Sequence, residues 1–177
     1  MEKLKVTIKG LTPLLMHSFP MVEIRNPEKL SDAEQAELAA YRDPETRDLY
    51  IPGIAVQRGL VAAAIFSKGK GRSSLQRVVA AGVFVFPERI SLGQKKYEID
   101  RRPVVIPATK GRVIRVRPRL DEWQASFSIE YDAELVTEKQ LRQIVDDFCS
   151  KIGLLDFRPA CKGSFGRSMV TSWQNSK

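Results

Sequence analysis

Thr137 to Trp173 reads as a helix, a glycine-bearing loop and a strand in direct succession, and this stretch narrows the fold most. Thr137 and Gln140 have the spacing of a capping box, in which each side chain satisfies a backbone N–H beside the other. Glu138 sits in the first turn, where the helix dipole favours an anion, and Gly153 stands at the C-terminal cap. Between them Leu141, Ile144, Val145, Phe148 and Ile152 recur at helical spacing, so one face is buried. A buried helix face needs a second layer. Trp123 to Tyr131 supplies a strand for it, with Trp123, Ala125, Phe127, Ile129 and Tyr131 on one side and Gln124, Ser126, Ser128 and Glu130 on the other.

The rest of the chain repeats this alternation of element types. Lys3 to Ile8 has the two-residue period of a strand, loosened by Gly10 and Pro13 before Leu14-Leu15-Met16. Ser31 and Glu34 form a second capping box and predict a short helix from Asp32 to Ala40. Pro52-Gly53 marks a turn into a helix over Ile54 to Phe66, which Gly69 and Gly71 stop amid Lys68, Lys70 and Arg72. Val78 to Phe86 is apolar and β-branched enough to predict a second strand, and Ser168 to Trp173 a final one. Two main helices interleaved with about four strands predict an α+β protein, a ferredoxin-like, RRM-type sandwich whose uncovered sheet face and loops remain for binding. With 177 residues the expectation is one domain, 1–177, with little left for a second.

Charge then points to a partner. Lys and Arg number 29 against 21 Asp and Glu, a net charge of +8 that favours an anionic partner, nucleic acid before membrane. Most of that excess lies in an insertion at about 92–120, where Lys95, Lys96, Arg101, Arg102, Lys110, Arg112, Arg115, Arg117 and Arg119 face only Glu98 and Asp100. Arg115, Arg117 and Arg119 would share one side of an extended segment, roughly 6.6–7 Å apart, near the spacing of phosphates in an extended single strand. Pro103, Pro107 and Pro118 argue against a regular central strand, so a basic hairpin reaching from the core is expected, a thumb. The bland alternative is a solvated hairpin whose arginines pair with carboxylates elsewhere. A second basic element follows the last helix, where Arg158, Lys162 and Arg167 lie in a glycine-bearing loop from Gly153 to Arg167. Open backbone with cationic side chains suits a phosphate chain. No apolar run reaches bilayer length, no signal-peptide pattern opens the chain, and Cys149 and Cys161 are expected as reduced thiols, so the expected compartment is the cytoplasm. One histidine and two scattered cysteines predict no metal, and no cofactor is expected.

Particular motifs add a resemblance. Arg42-Asp43-Pro44, a short turn, then Leu49-Tyr50-Ile51-Pro52-Gly53 and an alanine-rich helix resemble the start of CRISPR RAMP-superfamily backbone subunits, the Cas-seven type. Those proteins carry Arg-Asp-Pro, a turn, and Tyr-Ile-Pro-Gly-Ser-Ser-Leu-Lys-Gly. Here Ile54 and Ala55 replace the serines, and Arg58-Gly59 falls near the Lys-Gly. Ile8 to Leu15 is similar to that family's first strand and exit loop, and Gly153 to Arg167 to its glycine-rich loop. The chain also resembles small prophage-encoded proteins that share Gly-Leu-x-Asp-Phe-Arg-Pro and Gly-x-Phe-Gly. The resemblance implies an RRM-like core with a basic thumb, whose copies polymerise along a guide RNA and hold its phosphates. Lys5, Thr7 and Lys9 on the first strand offer no stacking platform, which favours backbone holding over base reading.

The expected function is therefore a non-catalytic protein that coats single-stranded RNA or DNA, self-associating head-to-tail and joining other effector-complex subunits, without membrane contact. Its expected contacts are Arg42, Arg58, Lys68, Lys70, Arg72, Arg101, Arg102, Lys110, Arg112, Arg115, Arg117, Arg119, Arg158, Lys162 and Arg167. Two alternatives stand beside it. One is a metal-independent endoribonuclease with His17 as general base or acid, since RAMP-type nucleases often place a histidine after the first strand. Backbone subunits that slice target RNA do so with an aspartate before Arg-Asp-Pro, but Asp32, Glu34 and Glu37 fall on a predicted helix. The other alternative is a phage-encoded interaction protein whose basic surface meets an acidic protein.

Overall fold

Alternation of Leu4, Val6 and Ile8 with Lys3, Lys5, Thr7 and Lys9 forms the strand β1 (Glu2–Gly10), whose three aliphatics are wholly buried. The computed structural model describes residues 1–21, 29–67, 75–106 and 108–175. A two-residue β2 (Leu14–Leu15) follows, then α1 (Asp32–Ala39), β3 (Tyr50–Pro52), α2 (Gly53–Ala63) and α3 (Gln76–Gly82). Next come β4 (Val83–Phe86), β5 (Arg89–Ser91), β6 (Glu98–Val105), β7 (Arg112–Leu120) and β8 (Gln124–Tyr131). Helix α4 (Glu138–Asp147) and β9 (Ser168–Asn175) complete the order.

The architecture is α+β with antiparallel sheets. The main sheet runs β4-β8-β1-β9, every pairing antiparallel. Helices α2 and α4 lie against one of its faces. Val56 and Leu60 of α2 and Leu141, Ile144 and Val145 of α4 join Leu4, Val6, Ile8, Phe127 and Ile129 in a single apolar cluster. Burying those side chains is the main stabilising term, at about 25 cal/mol per Å² of apolar surface. Both predicted capping boxes are present, Ser31 with Glu34 and Thr137 with Gln140. On the other sheet face Lys3, Lys5, Lys9, Gln124 and Ser126 are exposed.

Val78 to Phe86 departs from expectation. Its first half is the helix α3, and only Val83–Phe86 is strand. Ala80 and Ala81 outweigh the paired valines, since alanine is the best helix former, and Val79 N donates to Leu75 O at 2.8 Å.

The basic insertion forms a hairpin, β6 with β7, paired from Glu98 opposite Arg119 to Val105 opposite Arg112. Against expectation, β7 is the middle strand of a sheet ordered β2-β7-β6. Pro103 sits on the edge strand β6, and Pro118 still offers its carbonyl, which accepts from Met16 N at 3.0 Å. Pro107 lies outside the described residues, as do Lys68, Gly69, Lys70, Gly71 and Arg72. Among the described residues no helix is long and apolar enough to cross a membrane.

Candidate functional site

The loop after α4 is built by its glycines and clamped to the exit of β1. A π-turn over Phe148–Ile152 extends α4 and ends at Gly153, whose φ of 72° suits glycine. Gly163 lets the loop close on itself, because a Cβ there would lie 1.7 Å from the Phe157 carbonyl oxygen. Gly166 N donates to Pro13 O at 2.8 Å, Leu11 N to Arg167 O at 2.8 Å and Asp156 N to Leu15 O at 3.1 Å. The two ends of the chain's core therefore meet here.

Asp156 is the hub of the site. Its Oδ2 accepts from Arg117 Nη1 at 2.5 Å and faces His17 Nδ1 at 3.2 Å, while its Oδ1 accepts from Phe157 N at 2.9 Å. The His17 hydrogen bond, with Arg117 and the Phe157 N–H adding to it, holds the carboxyl well below its usual range against the opposing effect of burial. His17 Nε2 lies 3.0 Å from Arg115 Nη1. A neutral imidazole carrying its proton on Nδ1 satisfies both contacts, donating to Asp156 and accepting from Arg115.

Arg115, Arg117 and Arg119 share one side of β7, as their spacing implies, but that side faces the loop. Arg117 is 2% exposed and enclosed between Asp156 and Asp100, the latter at 3.5 Å, a charge contact without hydrogen-bond geometry. Arg102 pairs with Asp100 and lies over the Phe165 ring at 4.7 Å and the Phe157 ring at 5.7 Å. Arg119 pairs with Asp121 at 2.6 Å and lies 5.9 Å from the Phe165 ring. The insertion and the loop are thus brought together, through one carboxylate and two aromatic rings.

Beside this junction opens a cleft of about 650 Å³ whose lining includes His17, Tyr41, Tyr50, Arg58, Asp156 and Arg158. Helix α2 starts at its rim, with Ile54 and Ala55 in the lining, and Pro52 at its N-cap supplies no side-chain acceptor. Gly53 N already donates to Glu88 O at 2.7 Å, so the first-turn donors left for an anion are the N–H groups of Ile54 and Ala55. Arg158 Nη1 also donates to Leu155 O at 2.7 Å, which holds its guanidinium at the cleft wall.

The remaining candidates are scattered. Lys110, Arg112, Lys162 and Arg167 are exposed, and Arg101 meets Asp32 at 3.5 Å. Arg42 grips Glu37 through Nε at 2.5 Å and Nη2 at 2.8 Å and donates to the carbonyls of Arg47 and Lys95. It staples α1 to the turn that follows, and it is not among the residues that line the cleft. Lys68, Lys70 and Arg72 lie outside the described residues. Sequence reasoning missed Asp156, Phe157 and Phe165 as organisers, although Asp156 and Phe157 stand inside the Gly-Leu-x-Asp-Phe-Arg-Pro pattern. It also missed Tyr41 and Tyr50, whose rings lie 5.7 Å apart in the cleft wall.

No family model matches the chain, and no curated protein matches it. Among solved structures it is similar to a chain from the cryo-EM structure of the Type III-B Cmr-beta bound to cognate target RNA, at TM-score 0.61 and 14% identity. The match covers 99% of this chain and 61% of that one, so this chain spans about three fifths of its neighbour's length. At that identity the shared property is the fold.

Proposed function

We propose that the protein binds single-stranded RNA by its phosphate backbone, as a RAMP-like subunit with a ferredoxin-like core. The sheet order β4-β8-β1-β9 with α2 and α4 on one face fits that core. One observation carries the functional reading: Arg58, Arg158 and the uncapped start of α2 converge on a single cleft, whose own carboxylate, Asp156, is already bound by Arg117. Phosphates entering the cleft meet donors and no free anion. The neighbour's RNA-bound state is consistent with this use of the fold. Arg115 flanks the cleft through His17, and exposed Lys110, Arg112, Lys162 and Arg167 extend the positive surface beyond it. Head-to-tail repetition along the strand, alongside other effector subunits, belongs to the same proposal, because coating a strand requires a heterologous interface that does not close.

The test is fluorescence anisotropy of a short labelled RNA across a salt series. Arg58→Glu with Arg158→Glu should weaken every sequence equally and lower the salt slope by roughly 0.7 for each phosphate that the variant no longer neutralises. Unchanged affinity and slope in a folded variant would reject the cleft.

A second reading, a metal-independent endoribonuclease, gains one observation, the Asp156 carboxylate beside His17 Nδ1. Such a pair orients an imidazole for proton transfer, but Arg115 faces the Nε2 that would have to act. His17→Ala should leave any RNA cleavage by the purified protein unchanged if the protein only binds, and abolish it if the imidazole is catalytic.

A further inference from the structure

The uncovered face of the main sheet carries a second surface, on the side away from α2, α4 and the cleft. Edge strand β4 turns Val83 inward and Phe84 and Phe86 outward, the two rings 42% and 46% exposed. Register fixes their neighbours. Phe86 opposes Ser128, and Ser128 opposes Lys5; Phe84 opposes Glu130, and Glu130 opposes Lys3. Lys3 and Glu130 pair at 3.1 Å and cancel, whereas Lys5 and Lys9 are exposed with no carboxylate partner among the described residues. Between them Thr7 and Ser126 join hydroxyls at 2.8 Å.

We propose that this face binds the bases of a single-stranded nucleic acid, stacked on Phe84 and Phe86, with its phosphates against Lys5 and Lys9. Two rings at alternate positions of one strand stand roughly 7 Å apart, within reach of successive splayed bases. Lys5 lies two strands from Phe86 in the same row, roughly 10 Å, so base and backbone have separate partners. The surplus positive charge and the hydroxyl-lined centre complement a polyanion better than an apolar protein face. Exposed aromatics on an edge strand are otherwise a pairing hazard that folded proteins avoid. The surface differs from the cleft in stacking bases as well as holding phosphates.

The experiment compares anisotropy titrations of a short single-stranded RNA and an abasic phosphodiester of equal length. The native protein should prefer the base-bearing strand by about ten-fold or more. Phe84→Ala with Phe86→Ala should remove that preference while leaving affinity for the abasic strand, and Phe84→Trp with Phe86→Trp should retain it. Both positions are exposed, and circular dichroism confirms folding. An undiminished preference for the base-bearing strand in the alanine variant overturns the proposal even if the cleft variants Arg58→Glu and Arg158→Glu lose phosphate binding as expected. A drop in oligomer mass by light scattering, with RNA preference unchanged, also overturns it and assigns the face to self-association.

Discussion

His17 Nδ1 lies 3.2 Å from Asp156 Oδ2, a contact that ties the exit of the first strand to the loop before the last across 139 positions of sequence. The same carboxylate reaches the buried Arg117 of the central hairpin. Three segments distant in sequence therefore share one anion, and the anion is where the site is most easily broken.

Removing Asp156 leaves Arg117 enclosed with only the distant arm of Asp100, and an under-compensated buried charge is costly. Asp156→Ala should destabilise the protein by about 3 kcal/mol in urea unfolding. Arg117→Met in that background should recover most of the loss, since an apolar side chain of similar size suits the enclosed position. A double-mutant cycle measures the coupling. Additive losses would mean that Arg117 and Asp156 act independently.

The acid limb of stability should report the same carboxylate. Its folded pKa is depressed, chiefly by His17, so its contribution is complete above the unfolded value near 3.9 and lost as pH falls from there toward the folded value. Between about pH 5 and pH 2 the native protein should therefore lose more stability than Asp156→Asn, which has nothing to titrate there. Identical acid limbs in urea titrations of the two would contradict the depressed value.

Arg115 and Arg117, two residues apart on one strand face, should respond oppositely to charge reversal. Arg115→Glu should keep the melting temperature within a few degrees and weaken RNA binding, because its side chain is only half-buried at the cleft edge. Arg117→Glu places an acid between Asp100 and Asp156 and should prevent stable folding. Thermal unfolding followed by anisotropy separates the two. Equal effects on stability would mean that both arginines are structural.

The elements that the sequence disclosed were those whose signals are local. Capping boxes at Ser31 and Thr137, the two-residue alternation in β1 and β8, and the C-cap at Gly153 involve neighbours within a few residues, and all are present. Val78 to Phe86 misled because β-branched residues and alanines give opposite local preferences, and the alanines prevail in its first half. The site was half legible. Spacing by two placed Arg115, Arg117 and Arg119 on one side, but nothing local tells whether that side meets solvent or the Asp156 loop. The pairing of Arg42 with Glu37 was hidden for the same reason, since Glu37 lies on a helix whose orientation only the fold supplies.

The two cysteines offer an independent check on the junction. Cys149 lies buried in the π-turn that leads into the loop, and burial pushes its thiol up to about 11, whereas Cys161 is exposed on the loop itself. At neutral pH a thiol reagent should modify one cysteine quickly and the second only as fast as the native state opens, because the thiolate is the reactive form and Cys149 is both protonated and covered. Cys161→Ser should abolish the fast phase. If Asp156 anchors the loop to the hairpin, Asp156→Ala should speed the slow phase as the turn around Cys149 opens more often. Two fast thiols in the native protein would place Cys149 at the surface and break the packing of the π-turn against the core on which the cleft wall depends.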